Sequence, residues 1–158
     1  MNKKLVLAII ISIVLIMVAI LLRAVWVKGR EALSPKSTVQ IGDVIFNVDV
    51  ASSPFSRTIG LAGRSSLAED KGMLFLFERR LVTPFWMKGM RFPLDIIWID
   101  GDEIVDINEN VPVEEDIIEA ELKQYLSSEL MDKVLEVNAG LVEKFGIKIG
   151  DKVIIDIK

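Results

Sequence analysis

The sequence predicts an α+β domain, rich in β-strand, carried behind one N-terminal transmembrane helix. Three observations lead there. Leu5 to Leu22 contains no charged residue and only Ser12 among polar side chains, roughly 27 Å of apolar helix at the usual rise. Beyond it, short apolar runs rich in aromatic and β-branched residues alternate with Gly-Asp turn signals, the pattern of strands. The remaining chain, about 124 residues, suffices for one core and not for two.

The apolar run exceeds the usual h-region of about 7–15 residues and lacks an A-x-A-like exit, so a retained anchor is preferred over a cleaved signal peptide. Residues 1–27 are assigned to the anchor, 28–38 to a polar linker and 39–158 to the soluble domain. Flanking charge does not orient the anchor, because Lys3 and Lys4 compete with Arg23, Lys28 and Arg30.

Within the domain, Val39–Ile41 and Ile45–Val50 read as strands joined at Gly42-Asp43, a hairpin expected at the sheet edge. Ser53-Pro54 supplies an N-cap and a first-turn proline for a helix over Phe55–Arg64, despite Gly60 and Gly63 inside it, which imply close backbone approach. Met73–Phe77, Pro84–Met87 and Leu94–Ile99 are expected as buried strands, and Asp100-Gly101-Asp102 turns the chain into another at Ile104–Asn108. The apolar spacing from Val113 to Lys133 is closer to helical than to strand periodicity. A strand at Val134–Val137, a helix capped by Asn138 and ended by Gly146, and a last strand at Val153–Ile157 close the fold.

Composition narrows the chemistry. The chain has no Cys and no His, which removes disulfides, thiolate and Ser-His-Asp nucleophiles, and His-ligated zinc. Nothing in it calls for a cofactor, and the D-x-N-x-N opening at Asp106, Asn108 and Asn110 fails as a calcium loop, since Val111 replaces the glycine and Ile117 the bidentate acid. Residues 35–158 hold 14 basic and 22 acidic residues, a net −8; the acidity falls after residue 99, whereas every Arg of the domain lies before it. An acidic domain without a basic stripe argues against nucleic acid as a partner.

Four groups of residues stand out. Arg57 and Arg64, two turns apart on the expected helix, suit an anion clamp, with pairing to structural carboxylates or helix-end carbonyls as the plainer reading. Trp86 and Lys88 would share one face of a strand, as a ligand platform or, more plainly, as a core aromatic beside a snorkelling Lys. Asp95, inside Pro93–Ile99, needs a partner if buried, and Lys88, Arg57, Arg64 and Arg91 are the candidates for an ion pair. Asp95 or Glu136 with Lys88 is the remaining titratable machinery for a hydrolase or lyase.

Three blocks resemble the family known as the domain of unknown function 192, or uncharacterised protein family 0127. They are Val50 to Phe75, containing Pro54, Arg57, Gly60-Leu61 and Gly72-Met73-Leu74-Phe75; Phe85-Trp86-Met87-Lys88 with Pro93 to Ile97; and Leu135 to Gly140 followed by Gly146-Ile147 and Gly150-Asp151. The resemblance covers about residues 44–157. It implies a compact, β-rich, partly barrel-like fold and a domain outside the cytoplasm, hence an N-terminus inside. This chain departs from the family at Gly89 and Met90, where Asn and Thr usually follow FWMK.

Together these readings predict a membrane-tethered module binding a small polar or anionic ligand through Arg57, Arg64, Trp86, Lys88, Asp95 and Asn138. The alternative is a factor docking on another membrane protein through the acidic segment Glu109 to Glu121.

Overall fold

A computed structural model describes residues 12–21, 36–114 and 118–158. Residues 12–21 form helix α1, within a unit ending at Pro35; Lys36–Lys158 form a second unit. Among the described residues no helix is long and apolar enough to cross a membrane. The remainder of the predicted Leu5–Leu22 span lies outside the described residues.

The second unit is one curled, seven-stranded sheet. Its strands are β1 (Ser37–Ile41), β2 (Val44–Ala51), β3 (Lys71–Leu81), β4 (Leu94–Asp100), β5 (Glu103–Val111), β6 (Met131–Asn138) and β7 (Val153–Asp156), in the spatial order β5-β4-β6-β3-β2-β1-β7. All neighbours are antiparallel except β2 and β3. That parallel pair needs a crossover, and helix α2 (Pro54–Ile59) lies in it. Helix α3 (Leu141–Phe145) lies between β6 and β7. The two outermost strands meet at one end: Glu103 bridges Lys152, and Ile104 and Asp151 share a 3.0 Å backbone hydrogen bond. The sheet is thus a half-barrel, and the β1–β2 hairpin, expected at an edge, is covered by β7.

Strands β3, β4 and β6 are buried on both faces. Leu74, Ile97, Ile99, Leu135 and Val137 point into the curl with Val39, Phe46, Ile104, Leu141 and Val153. Their sequence neighbours Met73, Phe75, Ile96, Trp98 and Val134 point outward, under Leu61, Met87, Met90 and Tyr125. The packing is close enough that Gly72 has no room for a side chain, since a Cβ there would lie 2.9 Å from the Glu136 carbonyl oxygen.

Four sequence expectations change. The helix over Phe55–Arg64 ends at Ile59, because Gly60 takes φ +52° and breaks the helical path. Ser53 caps it as expected, in a reciprocal capping box with Ser56. Pro84–Met87 is not a strand; only Phe85 pairs, with Tyr125. The expected helix over Val113–Lys133 is replaced, in the described residues, by one 3₁₀ turn at Glu119–Glu121 and irregular chain. There Ser127 Oγ accepts from Glu129 N, Asp106 accepts from Ser128 N, and Met131–Lys133 join β6. Such local and tertiary hydrogen bonds outcompete helix formation in a segment crowded with like charge. Finally, α3 is capped by Gly140 and not by Asn138.

Asp95 ties this arrangement together. It is fully buried, yet no cation among the described residues pairs with it. Its Oδ1 accepts from Asn110 N at 2.8 Å and its Oδ2 from Val142 N at 2.9 Å. The expected ion pair is therefore corrected: two backbone donors satisfy the carboxylate. One belongs to β5, at the one non-glycine residue with positive φ among those described (Asn110, +52°), and the other to the first turn of α3. Asp95→Ala leaves the Val142 amide buried and unpaired, at about 1–3 kcal/mol, and takes the acceptor from the part-buried Asn110 amide. Urea unfolding is expected to show a loss of about 2–4 kcal/mol, with Asn110 and Val142 amide exchange accelerated beyond that of the rest of the sheet.

Candidate functional site

The outer face of the sheet carries a cleft of about 310 Å³. Its floor is Phe75 and Phe77 of β3 and Glu136 of β6; one wall is α2 and the turn after it, through Arg57, Thr58, Gly60 and Leu61; the other is the irregular segment 83–90, through Phe85, Trp86, Lys88 and Met90. Each wall has a reason to stand where it does. Phe85 is wedged edge-to-face between Phe75 (5.0 Å) and Trp98 (5.3 Å), and its backbone exchanges two 2.8 Å hydrogen bonds with Tyr125. On the other side, the turn at Gly60 lies over the Phe75 ring, which a Cβ would meet at 3.4 Å. The walls join where Gly63 N donates to Gly89 O at 2.9 Å.

Three of the six residues singled out in the sequence line this cleft. Arg57 reaches across α2, donating from Nη1 to the carbonyls of Ser52 (2.6 Å) and Leu76 (2.8 Å), with its guanidinium 5.1 Å from the centre of the Phe77 ring. The carbonyls orient it without neutralising its charge. Trp86 sits at the rim, 40% exposed, so the core-packing reading fails; the sealed tryptophan is Trp98, whose Nε1 donates to Asn108 at 2.9 Å. Lys88 lies across from Arg57 and pairs with Glu119 in an exposed ion pair, a type worth little when displaced.

The other three stand elsewhere. Arg64 falls beyond the end of α2 and pairs with Asp49 at 2.8 Å, so the two-arginine clamp is not formed. Asp95 faces the inner core as described. Asn138 donates to the Leu67 and Ala68 carbonyls at 2.9 and 3.3 Å, holding the loop before β3 against β6.

Glu136 is the residue that the six omitted. It lies directly between Met73 of β3 and Ile96 of β4 in the sheet register, is 6% exposed, and opens on the cleft. Its carboxyl takes part in no hydrogen bond or ion pair with the described residues. Burial pushes its pKa up to about 8, because the charged form loses its hydration without gaining a partner. The signal was present as a lone carboxylate inside Val134–Val137, on the same face as Val134 and opposite to Leu135 and Val137. Among the described residues no cluster of three potential metal ligands occurs.

The comparisons bear on what this cleft belongs to. The model of the family described as DUF192, "Uncharacterized ACR, COG1430", matches residues 37–155. The chain belongs to the DUF192 family. Two solved structures are similar. A protein of unknown function from Novosphingobium aromaticivorans DSM 12444 is 30% identical, with a TM-score of 0.66 over 75% of this chain and 83% of that one. A protein from Sinorhizobium meliloti 1021, described as a candidate transcription regulator, is 32% identical, with a TM-score of 0.66 over 76% of this chain and 92% of that one. No curated protein matches. As a DUF192 domain the chain carries all three resembling blocks in the second unit, and the cleft draws on each of them: Arg57 and Phe75 from the first, Phe85, Trp86 and Lys88 from the second, Glu136 from the third.

Glu136 makes stability depend on pH. In the unfolded chain it ionises near 4.5 and in the folded domain near 8. Its contribution is therefore fully present below about pH 4.5 and lost as pH rises to about 8, at about 1.4 kcal/mol per pH unit. Glu136→Gln is expected to equal the wild type in urea midpoint at pH 4.5 and to exceed it increasingly up to pH 8. Parallel curves from pH 4.5 to 9 contradict the burial of an ionisable, unpaired Glu136.

Proposed function

We propose that this DUF192 domain is a binding module for a small organic anion, held by the outer cleft while the chain is tethered to a membrane with the domain outside the cytoplasm. The observation carrying the first part is that Arg57 and Lys88, from two separate segments, face one concave space together with Trp86 and an aromatic floor. Guanidinium and ammonium groups hold oxyanions, and the Phe75, Phe85 and Trp86 rings offer contact for an apolar body. The volume, about 310 Å³, lies at the small end of ligand sites.

The tether is supported by the uncharged run Leu5–Leu22. In its described part, apolar residues such as Leu15 and Leu21 are more than half exposed, a surface that a lipid environment would cover. The outward orientation rests on resemblance to exported family members. A nucleic-acid role like that in the description of the Sinorhizobium protein has no support here, given the net −8 of residues 35–158. Docking on another membrane protein has one observation in its favour, the exposure of Phe55 and Ile59 on α2 and of Val82 ahead of the other wall. A hydrolase or lyase would need Lys88 and Glu136 to act on one group, whereas Lys88 stands at the rim, paired with Glu119 and not with Glu136.

Titration of the full chain in lipid nanodiscs with small aromatic carboxylates, followed by NMR, is expected to move the Trp86 indole and the Gly60 and Ala62 amides. Trp86→Ala and Arg57→Met should each weaken binding about tenfold, the scale of one lost stacking contact or charge-assisted hydrogen bond. Shifts confined to other surfaces, or none at millimolar probe, count against the cleft as the binding site.

The native chain lacks Cys, so Ser65→Cys on the exposed turn after α2 provides a unique label. Modification in intact cells by a membrane-impermeant maleimide is the expected result. Labelling only after lysis places the domain inside.

A further inference from the structure

The buried carboxyl at the cleft floor has no use in the fold. Where Asp95 receives two backbone donors, Glu136 receives none, although it is more than nine-tenths buried. Among the described residues no side-chain oxygen or nitrogen is both sealed from solvent and unpaired, so the Glu136 carboxyl opens on the cleft, where a ligand can supply the partner that the described residues do not.

The groups around Glu136 indicate which partner fits. From α2, Arg57 faces the cleft with its charge uncompensated by any carboxylate; from segment 83–90, Lys88 faces it from the rim. The flanking strands contribute Met73, Phe75 and Ile96, which do not titrate. Among the described residues no cation forms an ion pair with Glu136. With burial raising its pKa to about 8, Glu136 carries its proton at neutral pH, and its O–H opens on the cleft with no acceptor among the described residues. An ammonium ligand would have to ionise this carboxyl against desolvation, next to two positive side chains. An anion meets favourable charge and takes the free proton in a hydrogen bond, as when two carboxyl groups share one proton.

We propose that Glu136, in its carboxylic-acid form, donates a hydrogen bond to an oxygen of a small organic acid bound as its anion, so that the cleft holds its ligand only while Glu136 keeps its proton. This deepens the anion-binding reading given above and rests on it. No covalent bond changes. Below the titration of Glu136 the anion binds without net proton exchange; above it, each anion bound brings one proton in from solvent. Affinity therefore falls about tenfold per pH unit on the alkaline side.

The test uses the full chain in lipid nanodiscs with three probes of one shape, 3-phenylpropionate, 3-phenylpropionamide and 3-phenylpropylamine, over pH 6.5–9.5. The carboxylate is expected to bind best at pH 6.5 and to lose about tenfold or more by pH 9.5. Calorimetry at pH 9 in buffers of different ionisation enthalpy should show uptake approaching one proton per ligand. Glu136→Gln, whose amide still donates, should keep carboxylate binding at pH 6.5 within about threefold and flatten the alkaline loss; any weakening from Lys88 would persist in that variant. A flat wild-type profile without proton uptake, or an unchanged profile in Glu136→Gln, overturns the role of Glu136 while leaving the cleft as an anion site; preference for the amine overturns the anion-binding reading as well. Failure of all three probes to bind overturns the anion-binding reading and this inference with it. The wild-type profile and proton uptake decide the question even if the variant does not fold.

Discussion

The constraint on which the rest of the structure depends is that β3, β4 and β6 are covered on both faces. A strand in that position must alternate between two apolar cores, and a one-residue slip would exchange all of its side chains between them. The register is fixed accordingly: Leu74, Ile97 and Leu135 enter the curl while Met73, Ile96 and Val134 go outward. Gly72 shows how closely the strands are packed, since even a methyl group would meet the Glu136 carbonyl. In such a setting a polar side chain has nowhere to hide. Each one that occurs has either a structural partner or an opening beside it.

The two buried carboxylates divide along that line. Asp95 faces inward and is met by amides from β5 and α3, so its burial joins three elements and stabilises a strained residue at Asn110. Glu136, next to the Val137 that pairs with Asp95 across β4–β6, faces outward, where Met73 and Ile96 offer nothing polar. The same desolvation acts on both, and only one is compensated within the chain. Burial of a carboxylate therefore says little until the direction of its side chain is known, which is why the sequence places Asp95 among the ligand-binding candidates and names Glu136 only as an alternative acid or base beside Lys88.

The strands were legible because they are short, apolar and punctuated by turns at Gly42-Asp43 and Gly101-Asp102. The capping of α2 by Ser53-Pro54 was equally local. What failed was decided by contacts distant in sequence. Arg57 and Arg64 share a helical face only if the helix passes Gly60, and the Phe75 ring beneath that glycine belongs to a strand beyond the intervening loop. The apolar period of residues 113–133 was real, but Tyr125 serves it by pairing with Phe85, and Met131 by entering β6. Trp86 and Trp98 could not be ranked for burial from composition; the aromatic contacts of Phe85 seal one and leave the other at the rim.

The position of the cleft follows from how the curl is filled. The inner core contains Val, Ile, Leu and Phe from all seven strands together with α3, which leaves that side as packed interior, as in other narrow barrels. The cleft accordingly lies outside, where irregular chain covers the sheet incompletely, and irregular chain is where side chains can vary without cost to the ladder. Gly89 and Met90, the positions at which this chain departs from the usual FWMK continuation, are part of that cover. Gly89 adopts φ +68° and accepts from Gly63 N, while Met90 is buried along the cleft wall. The exchange of two short polar residues for a turn and a thioether makes the wall more apolar but leaves Arg57 and Glu136 untouched. In the binding module proposed above, polar recognition rests on the helix and the sheet, and contact with the ligand's apolar body on segment 83–90.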